Sequence, residues 1–217
     1  MQKTWKLQLF LAALDPSNMA HPTWGKLREP VHRFVHWARA FGATSAAQVW
    51  DVGDLSDPGA RLGQSPLRSP SVFNFFRPGY VPPSTALATS KSVAPEFQIV
   101  NESTVGGYLN YLQGVVRNGL YVNAPDQPNA GSNASNGYDI TAAYTGELAL
   151  VADAIALVKR LSLLLCADQL SASTQTLIVN ALNATPVTAA STDAVKRNRV
   201  AAAVLMVMAS AEYLVQK

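Results

Sequence analysis

Glu147-Leu148-Ala149-Leu150-Val151-Ala152-Asp153-Ala154-Ile155-Ala156-Leu157-Val158-Lys159-Arg160-Leu161-Ser162-Leu163-Leu164-Leu165-Cys166-Ala167 is the stretch that decides the fold. It is apolar nearly all round, which predicts a central buried helix over 147–167. Asp153, Lys159 and Arg160 interrupt it, so it falls short of the ~18 uninterrupted apolar residues of a membrane span. The longest uninterrupted apolar run, Val200 to Ala209, is also too short. No membrane span is expected.

Helical spacing recurs to either side. Glu29-Pro30 opens a helix in which Val31, Phe34, Val35, Ala38 and Phe41 share a stripe, with Arg28, His32, His36 and Arg39 opposite. Gly42 is its expected stop. A second helix starts near Asn101 with Val105, Leu109, Leu112 and Val116 as its stripe, and Asn118-Gly119 ends it. Ser171 or Ser173 caps a helix running to about Asn183, and Thr192 or Asp193 starts the last, with Val200, Val204, Val207 and Ala211 in register. No alternating strand pattern of useful length occurs. The expectation is an all-α class: an irregular helical domain of about five to six helices with a long ordered Pro/aromatic loop.

That loop belongs to a mostly irregular segment between about residues 43 and 95. Gln64-Ser65-Pro66-Leu67-Arg68-Ser69-Pro70-Ser71-Val72-Phe73-Asn74-Phe75-Phe76-Arg77-Pro78-Gly79-Tyr80 holds four aromatics, two arginines and three prolines in 17 positions. Proline fixes φ and pushes its predecessor toward extended geometry. The segment is therefore expected to be ordered, with Phe73, Phe75 and Phe76 as buried anchors. Ordered loops carry sites more often than element interiors do.

Composition divides the chain. All four Trp lie in the first 50 residues and all seven Phe before residue 98. The expected organisation is an aromatic-rich part (1–122), a flexible polar loop (123–137) and an aliphatic helical part (138–217). Charged residues make up only 14%, against ~25% in ordinary domains, so much surface is buried or covered by a partner. A net charge of +3 without a dense basic patch gives no nucleic-acid footprint. The short cluster Lys196-Arg197-Asn198-Arg199 reads as a solvated helix turn. Cys166 is the single cysteine, so no intrachain disulfide can form, and its apolar surroundings suggest a buried structural thiol.

At the N-terminus, Lys3 and Lys6 precede the apolar run Leu7 to Leu14, in the manner of a secretory signal. The run stops at Asp15-Pro16, and Asn18-Met19-Ala20 is a poor cleavage site, so a helix fragment is the preferred reading. The localisation stays open.

Gly25-Lys26-Leu27-Arg28-Glu29-Pro30-Val31, Ser69-Pro70-Ser71-Val72-Phe73-Asn74-Phe75-Phe76-Arg77-Pro78, Ala94-Pro95-Glu96-Phe97-Gln98-Ile99 and Met208 to Gln216 resemble the bacterial DUF-1800 family, a domain of unknown function. The resemblance runs from about residue 7 onward. Members of that family are usually longer, with an N-terminal half that includes an acidic helix reading roughly Arg-Glu-Phe-Leu-Glu-Leu-Phe, which is not found here. The resemblance implies a single C-terminal portion of a larger helical domain. It further implies relatives exported to the periplasm, and two partners: the missing N-terminal half and a phosphatase/sulfatase-like neighbour.

Chemistry is sparsely signalled. His32 and His36 stand at i and i+4, a spacing that can hold a metal, but Arg33 takes the place of the protease glutamate and Arg28 and Arg39 flank the pair. A polar or anion-facing helix side is the simpler reading; no metal is expected. Neither a Gly-x-Ser-x-Gly elbow nor a phosphate-cradling glycine motif occurs, and no cofactor is expected. Arg68, Asn74 and Arg77 in the loop, with Glu96, Asn101 and Glu102 where the next helix begins, form the candidate ligand or partner site. Arginine can grip a carboxylate or phosphate through two parallel hydrogen bonds, and Arg–Glu pairing could equally fasten loop to helix. Two functions follow from these residues. The first is a structural or partner-binding portion of an exported protein. The alternative is one wall of an enzyme's active site, where Arg68, Asn74, Arg77 and Glu96 bind an anionic or polar substrate.

Overall fold

The computed structural model describes residues 25–46, 48, 50–123 and 136–216. The stretch 7–16, Trp5, Trp24, His21 and nearly all of the expected polar loop over 123–137 lie outside the described residues. In chain order the elements are β1 (Lys26–Leu27), α1 (Pro30–Ala40), β2 (Thr44–Ser45), α2 (Ala86–Thr89), a 3-10 turn (Pro95–Ile99), α3 (Glu102–Asn118), β3 (Leu120–Asn123) and β4 (Asn136–Thr141). There follow α4 (Thr145–Leu148), α5 (Ala154–Cys166), α6 (Ala172–Asn183), α7 (Asp193–Met208), α8 (Ala211–Leu214) and β5 (Val215–Gln216).

The chain is mostly helical, but all-α is too strong. Two small antiparallel sheets are present among the described residues: β1 with β5, and β2-β4-β3. The β3–β4 pair runs Leu120↔Ile140 to Asn123↔Asn136, with an irregularity between Leu120 and Tyr121. Strands of this length put only two or three side chains on each face, too few to show alternation. Cross-strand contacts replace periodicity, as in the edge-on pair Tyr121–Tyr138, 5.5 Å between ring centres. Gly119 joins α3 to β3 at φ 92°, and a Cβ there would stand 2.5 Å from the Thr141 methyl.

The helix expected over 147–167 is in two pieces. Asp153 accepts a hydrogen bond from the Ala156 N–H at 3.0 Å and so caps a new helix start. Residues 149–152 form turns between α4 and the Asp153 cap of α5. One face of α5 is sealed through Leu157, Val158, Leu161, Leu165 and Cys166, while Ile155 and Leu163 stand exposed. The Cys166 thiol is buried, and burial raises its pKa to about 11. Val200, Val204, Val207 and Met208 of α7 complete this core. Ser171 and Thr192 are the caps of α6 and α7.

Two corrections concern arginines. Arg199 is not solvated: its guanidinium is buried and donates to the carbonyls of Leu182 (2.6 Å) and Thr185 (2.9 Å), closing the C-terminus of α6. On α1 the buried stripe is Pro30, Arg33, Phe34, Trp37 and Phe41, with Val35 exposed, a rotation from the expected one. Trp37 sets that rotation. It is fully buried and donates its indole N–H to the Tyr144 hydroxyl at 2.7 Å, which in turn donates to the Val116 carbonyl at 2.8 Å. On α3 the sealed face likewise shifts to Tyr108, Leu112, Val115 and Val116, leaving Val105 exposed.

Candidate functional site

The Pro/aromatic segment is a chain of hydrogen-bonded turns. The Arg68 N–H donates to the Ser65 carbonyl, Asn74 to Ser71 and Tyr80 to Arg77, at 3.1 to 3.3 Å. Its entry is fixed in the protein: the Gln64 side chain is buried, donates to Glu29 at 2.5 Å and accepts from the Val31 N–H at 3.3 Å. Its exit is fixed to the 3-10 turn, where Gln98 accepts from the Arg77 N–H at 2.7 Å and the Ala94 N–H donates to the Tyr80 carbonyl at 2.9 Å.

The phenylalanines are not the anchors expected of them. Phe73 is 58% exposed, and Phe75 and Phe76 are half-buried. Hydrogen bonds at the two ends, through the Gln64 and Gln98 side chains and the Tyr80 carbonyl, hold the segment, so its rings need not anchor it. Leu67 and Val72 of the same segment are fully exposed. Leu67 (φ 60°) and Asn74 (φ 66°) both adopt the left-handed region. Asparagine tolerates it; for leucine it costs roughly 1–2 kcal/mol.

The six candidate residues do not converge. Arg68 pairs with Asp54 at 3.3 Å, not with a glutamate of the next helix. Hydrogen bonds from Ser56 hold the Asp54 carboxyl below the usual carboxylate range, and Arg68 adds to this. Glu96 pairs with Lys26 at 3.1 Å. Asn101 caps α3 in a reciprocal box: its side chain accepts from the Thr104 N–H at 3.0 Å, and its own N–H donates to Thr104 Oγ1 at 2.8 Å. Glu102 opens α3, and its side chain lies outside the described residues. Arg77 and Asn74 are exposed on the segment.

A second cluster lies under α1. Arg33 is only 5% exposed; its Nε–H donates to the Arg28 carbonyl at 2.8 Å, and its guanidinium sits 4.7 Å from the Tyr108 ring centre. Arg28 covers the Tyr213 ring at 4.8 Å, and its Nη1 shares a hydrogen bond with His36 Nδ1 at 2.5 Å. His36 stacks on the same tyrosine. No carboxylate pairs with Arg28 or Arg33 among the described residues. Burial lowers the Arg33 pKa and raises that of Tyr108 to about 12. Burial and the neighbouring Arg28 charge lower the His36 pKa, so the imidazole is held neutral as acceptor. His32, one turn before His36 on the same side of α1, is exposed to solvent and joins no part of this cluster among the described residues.

The family model for proteins of unknown function, DUF1800, matches residues 4–215. The chain belongs to the DUF1800 family. No curated protein and no solved structure matches it. In this DUF1800 chain two of the family-like stretches, 69–78 and 94–99, are fastened to each other by the Arg77–Gln98 hydrogen bond.

The sequence reading missed Arg33 as anything but a misfit in a metal motif. Its signal was the placement of Arg33 one helical turn before Trp37 and beside Phe34. A further groove, with a cavity of about 600 Å³, opens beside the β3–β4 hairpin and is lined by Arg61, Asn110, Tyr111, Tyr121 and Tyr138. Arg61 stands 5.9 Å from the Tyr111 ring centre. The composition of residues 110–121 gave no hint of it, because the groove is assembled from three separate stretches, 59–61, 110–121 and Tyr138.

Proposed function

We propose that this DUF1800 chain is a partner-binding protein whose helical body holds the Pro/aromatic segment over 64–80 as a docking surface for another protein. One observation carries the reading: Leu67, Val72 and Phe73 are each exposed on a segment whose two ends are hydrogen-bonded in place. Exposed apolar side chains on an ordered backbone mark interaction sites, because docking them costs little ordering entropy. The left-handed Leu67 supports the same reading, since strain of this kind collects where a side chain must be presented. The partner we propose is a phosphatase/sulfatase-like protein in an exported setting, as the family resemblance implies. The alternative, an active-site wall, has less support: neither Arg68, Asn74, Arg77 nor Glu96 lines the hairpin groove or the cavity beside Arg33.

The test is a titration of the immobilised 217-residue chain with a purified phosphatase/sulfatase-like protein. The Leu67→Asp/Phe73→Asp double variant is expected to weaken binding by about tenfold or more with its helical circular-dichroism signal intact. Arg77→Ala is expected to change binding little. No saturable binding, or binding untouched by the double variant, refutes the proposal. A loss confined to Arg77→Ala and Asn74→Ala would favour the anion-binding alternative.

A further inference from the structure

Beside Arg33 lies a cavity of about 100 Å³. Leu27, Pro30, Leu62, Ile99, Val100 and Leu109 give it apolar walls, and Arg33, Thr104 and Tyr108 are its polar residues. The hydroxyls of both polar neighbours are already engaged: Thr104 Oγ1 in the α3 cap, and the Tyr108 hydroxyl as donor to the Met208 carbonyl at 3.3 Å. Arg33 is thus the one formal charge on the cavity wall among the described residues. It is nine-tenths buried, and the groups that meet it are neutral: a backbone carbonyl and a tyrosine. Burying a cation without a counter-charge is unfavourable, and Arg28 nearby adds a second positive charge with a buried Nε that has no hydrogen-bond partner among the described residues.

We propose that this cavity binds a small aliphatic monocarboxylate, its carboxylate on the Arg33 guanidinium and its tail among the leucines and valine. A planar guanidinium fits a carboxylate through two parallel hydrogen bonds. The remaining walls offer only apolar surface, which suits a hydrocarbon tail and does not suit a phosphate with its many acceptor oxygens. The volume limits the guest: at ~30 Å³ per water it equals roughly three waters, or a chain of about two to four carbons. The site is separate from the docking segment and does not depend on it.

Butyrate is the probe, with butylamine and 1-butanol as guests of similar size and different charge. Saturation-transfer NMR on the full 217-residue chain is expected to show saturable butyrate binding, competed by propionate and not by butylamine. Saturating butyrate should also raise the melting temperature, since it binds the folded state alone. Arg33→Gln should abolish binding. Ile99→Phe, which fills the cavity from a half-buried wall position and leaves Arg33 in place, should weaken it by about tenfold or more. Absence of saturable butyrate binding, equal competition by butylamine, or undiminished binding by Ile99→Phe each overturns the proposal. Should Arg33→Gln fail to fold, Ile99→Phe and the butylamine control decide the matter.

Discussion

Leu157 and Leu161 of α5 and Val200, Val204, Val207 and Met208 of α7 are sealed from solvent. Between residues 51 and 95, by contrast, only Leu55, Leu62, Gln64, Ser65 and Pro82 are buried. Both regions have a defined backbone, reached by different means. The helices are held by area removed from water. The irregular segment is held by local turns, as where Asp57 Oδ1 accepts from the N–H groups of Gly59 (2.8 Å) and Ala60 (3.1 Å), and by a few fastenings to the helices. Local bonds of this kind open individually, so the segment should have the lower local stability of the two. Order and stability are thus separable here, and the surface proposed for docking lies on the part with order but little burial.

The largest effect expected from this contrast is in the core. Leu161→Ala should destabilise the chain by about 2–5 kcal/mol in chemical denaturation, whereas Leu67→Ala should stay within about 0.5 kcal/mol. Equal losses at the two positions would break the contrast. A smaller effect is expected where the regions touch. A methyl on Gly107 of α3 would collide with the Pro58 carbonyl and come within 2.9 Å of the Gly59 backbone. Gly107→Ala should therefore cost roughly 1–3 kcal/mol. It should also speed limited proteolysis within residues 55–63 more than within α5, and uniform cleavage would show that the segment does not open separately.

The smallest effect is acid-dependent. The folded His36 pKa lies below its ordinary 6.5 because of burial first and the Arg28 charge second. The unfolded chain therefore binds this proton more readily, and stability is fully present above pH 6.5 and declines as pH falls below it toward the folded value. His36→Gln should flatten the stability-versus-pH slope in that window, seen as melting temperature across the range. An unchanged slope would mean that other groups carry it.

Helix existence was legible because stripes and caps are local: Ser171 and Thr192 stand at helix starts that composition alone indicates. The break at Asp153 was visible as an acid within an apolar run, but period alone does not weigh a side-chain cap against a continued turn. The rotation of α1 was not legible, since it depends on Tyr144, 107 positions away, receiving the Trp37 indole. For the same reason the expected stripe did not mark Arg33 as buried. Arg–Glu pairing is one of two readings of these residues, and no such pair joins the loop to the next helix among the described residues: residue type says that Arg68 and Glu96 seek opposite charges, while only the fold supplies Asp54 and Lys26.

The pairing of Lys26 and Leu27 with Gln216 and Val215 has a consequence for biosynthesis. The Tyr213 hydroxyl reaches the Arg33 carbonyl across 180 positions, so α1 meets one of its covering side chains only once Tyr213 has left the ribosome. At ~5–20 residues per second that wait is roughly 10–40 s, with Arg33 and its neighbours incompletely covered in the meantime. Translation that stalls before Tyr213 would therefore leave α1 without this cover, and a chaperone that recognises nascent α1 would have that interval in which to bind it.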